Sequence, residues 1–531
     1  MAKGGSGLSG PAGGGLIEPD AVNAAFVLDM QRKLNRWSDA DTDQVFADVY
    51  NLVCDRRTLD HAWGRLSRNR GSQTPGTDGM TRRKVEEWPG GVDSYLDQIR
   101  QELREGTYRP EPVRQRLIPK AGRPGQFRPL GIPTLKDRLV QMALKLVLEP
   151  IFEADFYPTS FGFRRGRSTH DALALVQRSL HPANHGPSKV RFVIEGDIKG
   201  CFDAIDHHLL MDRVRRRIRD RKVLRLVLAF LKAGIMVEGS IQHPVTGTPQ
   251  GGVLSPLLAN IFLTAIDERY RRWTVAPREQ LQKAADRRHT DRRAGRPTFS
   301  IVRYADDFII LVTGTRDEAL AERDALAVFL QEELRLELSK EKTVVTAVEE
   351  GFDFLGYRVV QAKAVVTGRL VGKLYIPKQK MQRLRDNIKV RTTRSSITRT
   401  LASLLDELNP IIRGWRTYYR YATGAPHEFN ALDWWATVRV YRWLCKKHRT
   451  RNWTTVKRRY LLPASGARAT TWGEGTKRLV RFADGGTSRY RLRGSMINKG
   501  WNRPASGMRP TDAKAYWRAL NDLNSLTPPT A

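Results

Sequence analysis

Cysteine is scarce in this 531-residue chain: Cys54, Cys201 and Cys445 are the only three, each far from the others. That excludes a disulfide framework and leaves no Cys-x-x-Cys pair for a zinc site, so a reducing compartment is expected. Long apolar runs are missing too. No stretch of 18 apolar residues exists, which excludes a membrane-spanning helix of ordinary length. Met1-Ala2-Lys3-Gly4-Gly5 opens a Gly-rich tail, expected to be disordered over residues 1–20, rather than a signal peptide. The expectation is a cytoplasmic, bacterial-type protein associated with nucleic acid and not with a membrane. Acidic residues are the third shortage: 56 Asp and Glu face 91 Lys and Arg, a net charge of +35 that calls for a polyanionic partner. From Val371 onward there are 33 basic and 9 acidic residues, so the C-terminal third carries most of the excess. Apolar content of 40% supplies real cores and excludes a disordered chain.

The carboxylates that do occur are informative in their placement. Tyr304-Ala305-Asp306-Asp307 sits between the apolar runs Ile301-Val302 and Phe308-Ile309-Ile310-Leu311-Val312, the pattern of a β-hairpin with acids at its tip. Tight hairpin turns favour Asn-Gly or Asp-Gly, so adjacent acids there add strain and repulsion that folding does not require. A solvated turn is the ordinary explanation of a lone Asp-Asp; a divalent metal ion is the functional one. Val190-Arg191-Phe192-Val193-Ile194 leads through Glu195-Gly196 to Asp197, a second strand ending in a carboxylate. Three acids from two strands could hold two Mg²⁺ roughly 4 Å apart, as in-line phosphoryl transfer requires.

Longer motifs favour the metal. Asp197-Ile198-Lys199-Gly200-Cys201-Phe202-Asp203-Ala204-Ile205-Asp206-His207 is followed by Gly247-Thr248-Pro249-Gln250-Gly251-Gly252-Val253-Leu254-Ser255-Pro256-Leu257-Leu258-Ala259-Asn260, then by the Tyr304 hairpin. In order and wording these resemble the palm of reverse transcriptases, in particular group II intron-encoded proteins, and Leu401 to Arg420 resembles the maturase or thumb segment of that family. The resemblance implies an α+β right-hand polymerase: fingers and palm with an antiparallel sheet over 21–370, a helical thumb or maturase domain over 371–460, and a basic segment over 461–531. It implies an RNA-directed DNA polymerase that binds intron RNA, an RNA template with a DNA primer, target DNA and deoxynucleoside triphosphates. Asp197, Asp306 and Asp307, with the Ile198 carbonyl, would be the Mg²⁺ ligands. Lys120, Arg128 and Lys342 would meet the triphosphate, Phe202 would be an aromatic gate against the 2′-hydroxyl, and Gln250 would reach nucleotide or template. Arg413, Arg416 and Arg420 recur on one helical face suited to RNA phosphates. Many relatives carry a zinc-supported His-Asn-His endonuclease with Cys-x-x-Cys pairs, absent here, so a form lacking that domain is expected.

The remaining readings are local. Ser168 or Thr169 opens a helix, residues 211–234 read as one helix with an arginine-rich solvent face, and 274–298 reads as a polar loop insertion. Residues 461–531 carry 12 basic against 4 acidic residues with Trp472, Trp501 and Trp517 interleaved, which suits DNA contact; buttressing of the thumb is the alternative. Two rival functions remain: a host-adopted polymerase for repair or phage defence, and a splicing-only RNA-binding maturase.

Overall fold

The computed structural model describes residues 19–119, 125–182, 188–237, 240–242, 246–247, 251–450, 452–463, 470–488 and 490. Lys120, Gln250, Trp501 and Trp517 lie outside the described residues, as does the tail up to residue 18.

At the centre lies a four-stranded antiparallel sheet ordered Phe299–Tyr304, Asp307–Val312, Phe192–Gly196, Val344–Ala347. Both faces of this sheet are apolar, which is why its strands read as continuous hydrophobic runs rather than alternating ones. Side chains alternate across the pleat. Ile194, Ile301, Phe308, Ile310 and Val312 enter one core, shared with the helices Pro19–Ala40, Gly91–Glu105, Leu135–Glu153 and Ser255–Arg269. Val193, Val302, Ile309 and Leu311 enter a second core on the opposite face. The Leu135–Glu153 helix is apolar nearly all round and accordingly buried, with the Thr134 hydroxyl accepting from Asp137 N at its start.

A second antiparallel hairpin, within the stretch expected to form fingers and palm, precedes the Leu135–Glu153 helix. Strands Val113–Pro119 and Phe127–Ile132 pair antiparallel, with Ile118 opposite Arg128, and Ile235–Val237 adds in parallel beside the first. The second core holds the Phe352–Phe354 and Tyr357–Lys363 hairpin together with the helices Leu401–Tyr419 and Ala425–Lys447. Leu401, Leu404, Leu405, Leu408 and Ile412 recur at helical spacing and are all buried, which docks the first of these helices.

Three sequence expectations are corrected. Residues 211–234 form two helices, His207–Arg215 and Arg221–Lys232, rather than one. The break is set by Asp220, whose Oδ1 accepts from Lys222 N at 2.9 Å while its Oδ2 accepts from Val49 N at 2.9 Å and Tyr50 N at 2.8 Å. A carboxylate that caps one helix and ties a second segment cannot sit inside a continuous helix. The 274–298 insertion contains the helix Leu281–Arg293. Its anchor is the buried Asp291, gripped by Arg272, Arg296 and the Trp273 indole, which hold its carboxyl well below the usual range. Finally, Trp472 is not available for stacking on DNA. It is fully buried in the second core, its Nε1 donating to Thr437 O at 2.9 Å, within the small sheet Leu461–Pro463, Thr470–Glu474, Lys477–Arg478. No helix among the described residues is long and apolar enough to cross a membrane.

Trp472→Ala should therefore cost about 3–5 kcal/mol, the usual toll for emptying a large aromatic site. Thermal denaturation should show an earlier transition, and limited proteolysis should open the 453–485 region. Undiminished thermal stability with lost DNA affinity would contradict this placement.

Candidate active site

The register of the central sheet brings the acids together. Gly196 pairs with Phe308 at the end of its strand, so Asp197 follows directly where Asp307 precedes Phe308 on the neighbouring strand. Tyr304 pairs with Asp307, so Ala305 and Asp306 form the two-residue turn of the hairpin and Asp307 opens the return strand. Ala305 has a φ of 60°, the left-handed conformation such a turn demands. Glycine is required at two contacts around it. A Cβ on Gly196 would overlap the Phe308 ring, and one on Gly162 would overlap the Ala305 backbone.

The hairpin is braced from beneath by groups the sequence reading did not single out. Arg303 is fully buried: its Nε and Nη2 grip Asp267, the shortest contact being 2.6 Å, and its Nη1 donates to Asn260 Oδ1 and to Ala305 O, each at 3.1 Å. Asn260 Nδ2 in turn donates to Gly162 O at 2.8 Å. Asn260 and Asp267 are seven residues apart on the Ser255–Arg269 helix, hence on one face of it. Asn260 closes one of the long motifs, which was the available signal; Arg303 carried none.

Like charges crowd the acid group. Burial first, then Asp306 and Asp197, push the Asp307 carboxyl up to about 6, against Lys342 and Arg128. Asp307 is exposed at the hairpin tip, yet protein surrounds its carboxyl on most other sides. Burial and Asp197 likewise raise Asp306, and the Arg128 charge reaches both carboxylates from the fingers. Lys342 Nζ lies 2.7 Å from Asp197 Oδ2. Ile198 is buried and bridges Leu338 through bonds made by its neighbours: Ser339 N donates to Asp197 O, and Lys199 N to Glu337 O. The donors are hard oxygens suited to Mg²⁺. Among the described residues, however, no three acidic, histidine or cysteine side chains close into a metal cage, and one oxygen of Asp197 is engaged by Lys342.

Phe202 is half-buried beside the acids on the short helix Cys201–Ala204, its ring edge-to-face with Phe163 at 6.4 Å. On the thumb helix Arg413 is exposed, whereas Arg416 and Arg420 are half-buried and Arg416 Nη1 donates to Arg481 O at 2.9 Å. A neighbouring surface was missed from sequence: Trp434 is 70% exposed, and exposed Arg442 and Lys446 follow it at four-residue multiples along Ala425–Lys447.

Comparison with known proteins agrees with this geometry. Residues 118–359 match the family described as "Reverse transcriptase (RNA-dependent DNA polymerase)", and residues 381–461 match "Group II intron, maturase-specific domain". Protein YkfC of Escherichia coli K12 is 36% identical over 350 residues, covering 64% of this chain and 90% of that protein. The group II intron-encoded protein LtrA of Lactococcus lactis subsp. cremoris is 34% identical over 371 residues, covering 62% of this chain and 59% of LtrA. The chain belongs to the group II intron-encoded reverse transcriptases. As a member of that family it is an RNA-directed DNA polymerase with a maturase domain, and the α+β architecture expected from sequence is the one found.

Because Gly162 touches the turn of this reverse transcriptase directly, Gly162→Ala should displace Asp306. A shift of that kind lowers rates by about 100-fold. Single-turnover primer extension should read the loss, with RNA affinity measured in parallel and expected to hold.

Proposed function

We propose that this reverse transcriptase extends a DNA primer on an RNA template, and that it also binds its group II intron RNA, assists splicing and supports intron insertion at a DNA target. The observation that carries the polymerase reading is the gathering of three carboxylates: Asp197 directly after the strand that pairs Gly196 with Phe308, Asp306 in the hairpin turn and Asp307 opening the return strand, close enough to repel one another. Crowded carboxylates of raised pKa are the arrangement a divalent cation relieves. Asp197, Asp306, Asp307 and the Ile198 carbonyl would hold two Mg²⁺ ions, which when bound acidify the attacking 3′-hydroxyl and neutralise the leaving pyrophosphate.

Positioning is the work left to the chain's own residues. The primer oxygen forms a bond to the α-phosphorus as the bond to pyrophosphate breaks. Arg128, whose charge already reaches the acids, closes over the triphosphate, with Lys120 in the same role. Lys342, beside Asp197, supplies a cation for the departing pyrophosphate. Phe202 places a ring beneath the sugar and leaves no room for a 2′-hydroxyl, while Gln250 contacts nucleotide or template. The exposed guanidinium of Arg413, with Arg416 and Arg420 behind it, offers phosphate contacts for intron RNA.

Asp306→Ala should abolish Mg²⁺-dependent primer extension while leaving RNA affinity nearly intact, since it removes a ligand and little binding surface. Normal extension by that variant would sink the metal assignment. RNA affinity of the parent should fall steeply with salt, at a log-log slope of about 0.7 to 0.9 per neutralised phosphate. A titration showing almost no salt dependence would contradict phosphate-dominated recognition.

A further inference from the structure

Phe163 is an aromatic side chain in the wrong place for a core residue. Its ring is 50% exposed and belongs to neither hydrophobic core, while its backbone has a φ of 57°. For a bulky L-residue that conformation is strained. An exposed ring held in a strained backbone is not explained by folding.

The surroundings show how the strain is held. On one side, Phe161 N donates to Arg303 O at 2.8 Å, Arg303 N donates to Thr159 O at 3.0 Å, and Gly162 is fastened to Asn260 and packed on Ala305. On the other side Arg164 is buried, its Nη1 donating to Tyr157 O at 2.7 Å and Ser160 O at 2.6 Å while its Nη2 pairs with Glu153 at 2.6 Å. Both neighbours of Phe163 are therefore clamped, and the residue between them cannot relax toward negative φ. Among the described residues its one aromatic contact is the edge-to-face approach to Phe202, at 6.4 Å and 81°. That geometry is attractive for two rings and restricts how far either can swing.

We infer that Phe163 is a second specificity-determining residue of the sugar pocket: clamped to the catalytic hairpin, it holds the Phe202 ring in place and walls the side of the deoxyribose. This rests on the reading of Phe202 as the gate. A single ring on a short helix can yield to a 2′-hydroxyl by rotating; a ring braced edge-on by another fixed ring cannot rotate in that direction without losing the contact. The exposed face of Phe163 is the surface that an incoming deoxynucleoside would cover.

The test compares kcat/KM for a deoxynucleoside triphosphate and the matching ribonucleoside triphosphate on one RNA template with one DNA primer. Phe163→Asn removes the ring while tolerating positive φ, so folding is preserved, and Phe163→Tyr keeps the ring. Phe163→Asn should lower the discrimination ratio about tenfold or more, the scale set by loss of one apolar wall. Phe163→Tyr should behave as the parent, and Phe163→Asn combined with Phe202→Val should lose little beyond Phe202→Val alone, because the two rings act as one unit. Unchanged discrimination in Phe163→Asn, with discrimination lost in Phe202→Val, would overturn the role of Phe163 and leave the gate standing. Unchanged discrimination in both variants would overturn the gate itself, and this inference with it. Equal loss in Phe163→Asn and Phe163→Tyr would show that the aromatic ring is not what matters and would also overturn the proposal.

Discussion

The ion pair between Arg303 and Asp267 is the interaction on which the Tyr304–Asp307 hairpin depends. Neither side chain has any exposed surface, and burial pushes the Asp267 carboxyl up while the guanidinium opposes that rise. Such a pair is a weak device for stability, since well-packed apolar residues often do as well. Its value lies in what the guanidinium does with its remaining donor. Nη1 reaches the Ala305 carbonyl, one residue before Asp306, and the side-chain carbonyl of Asn260, whose Nδ2 donates to Gly162 O. A lysine has no planar fork and could not divide itself among Asp267, Asn260 and the turn. An apolar substitute would fill the space and leave the turn carbonyl untied.

The opposite face of the sheet is secured in a comparable way. The thumb helix ends against the turn of the Phe352–Phe354 and Tyr357–Lys363 hairpin, where Leu355 and Gly356 both have positive φ. The Tyr418 hydroxyl donates to Leu355 O, the Tyr419 hydroxyl donates to Gly356 O at 3.1 Å, and the Tyr357 hydroxyl returns a bond to Tyr418 O. His170, from the helix Thr169–Ser179 opened by the Ser168 capping box, bonds the same Tyr418 carbonyl at 2.7 Å. The turn of this hairpin is thus tied to the maturase domain through carbonyls rather than through loose side-chain contact. Movement of the thumb would be felt at that turn.

Much of this was legible in the sequence, and the reason is locality. The palm strands and their acids could be read because strand pattern, turn and carboxylates lie within about ten residues of one another, and the fingers hairpin and the capped helix at Ser168 are equally local. What escaped depended on distance. Nothing near Arg303 announces Asp267, 36 residues away. Asp220 opens a new helix at Arg221 while it is shared with Val49 and Tyr50, some 170 residues earlier. The 274–298 insertion has little apolar periodicity, so its helix could not be recognised until Asp291 found Arg272 and Arg296. Trp472 among basic residues suggested a stacking surface, but a carbonyl for its indole and a core for its ring came from helices upstream.

The same distinction changes how the charge of this chain should be understood. A net charge of +35 was read as an RNA-facing excess, yet several arginines are spent inside the protein on backbone carbonyls. Arg217 donates to the carbonyls of Ser38, Asp41, Thr42 and Gln44, and Arg138 to those of Gly71 and Thr74. Arg164 does likewise at Tyr157 and Ser160. These groups close loops whose carbonyls would otherwise lack partners, and they are not free to neutralise phosphate. The number of counterions released on binding RNA should therefore follow the exposed cations, such as Arg413, Arg442 and Lys446, rather than the total. In this protein arginine serves two physical roles with one side chain, and burial decides which role each residue has.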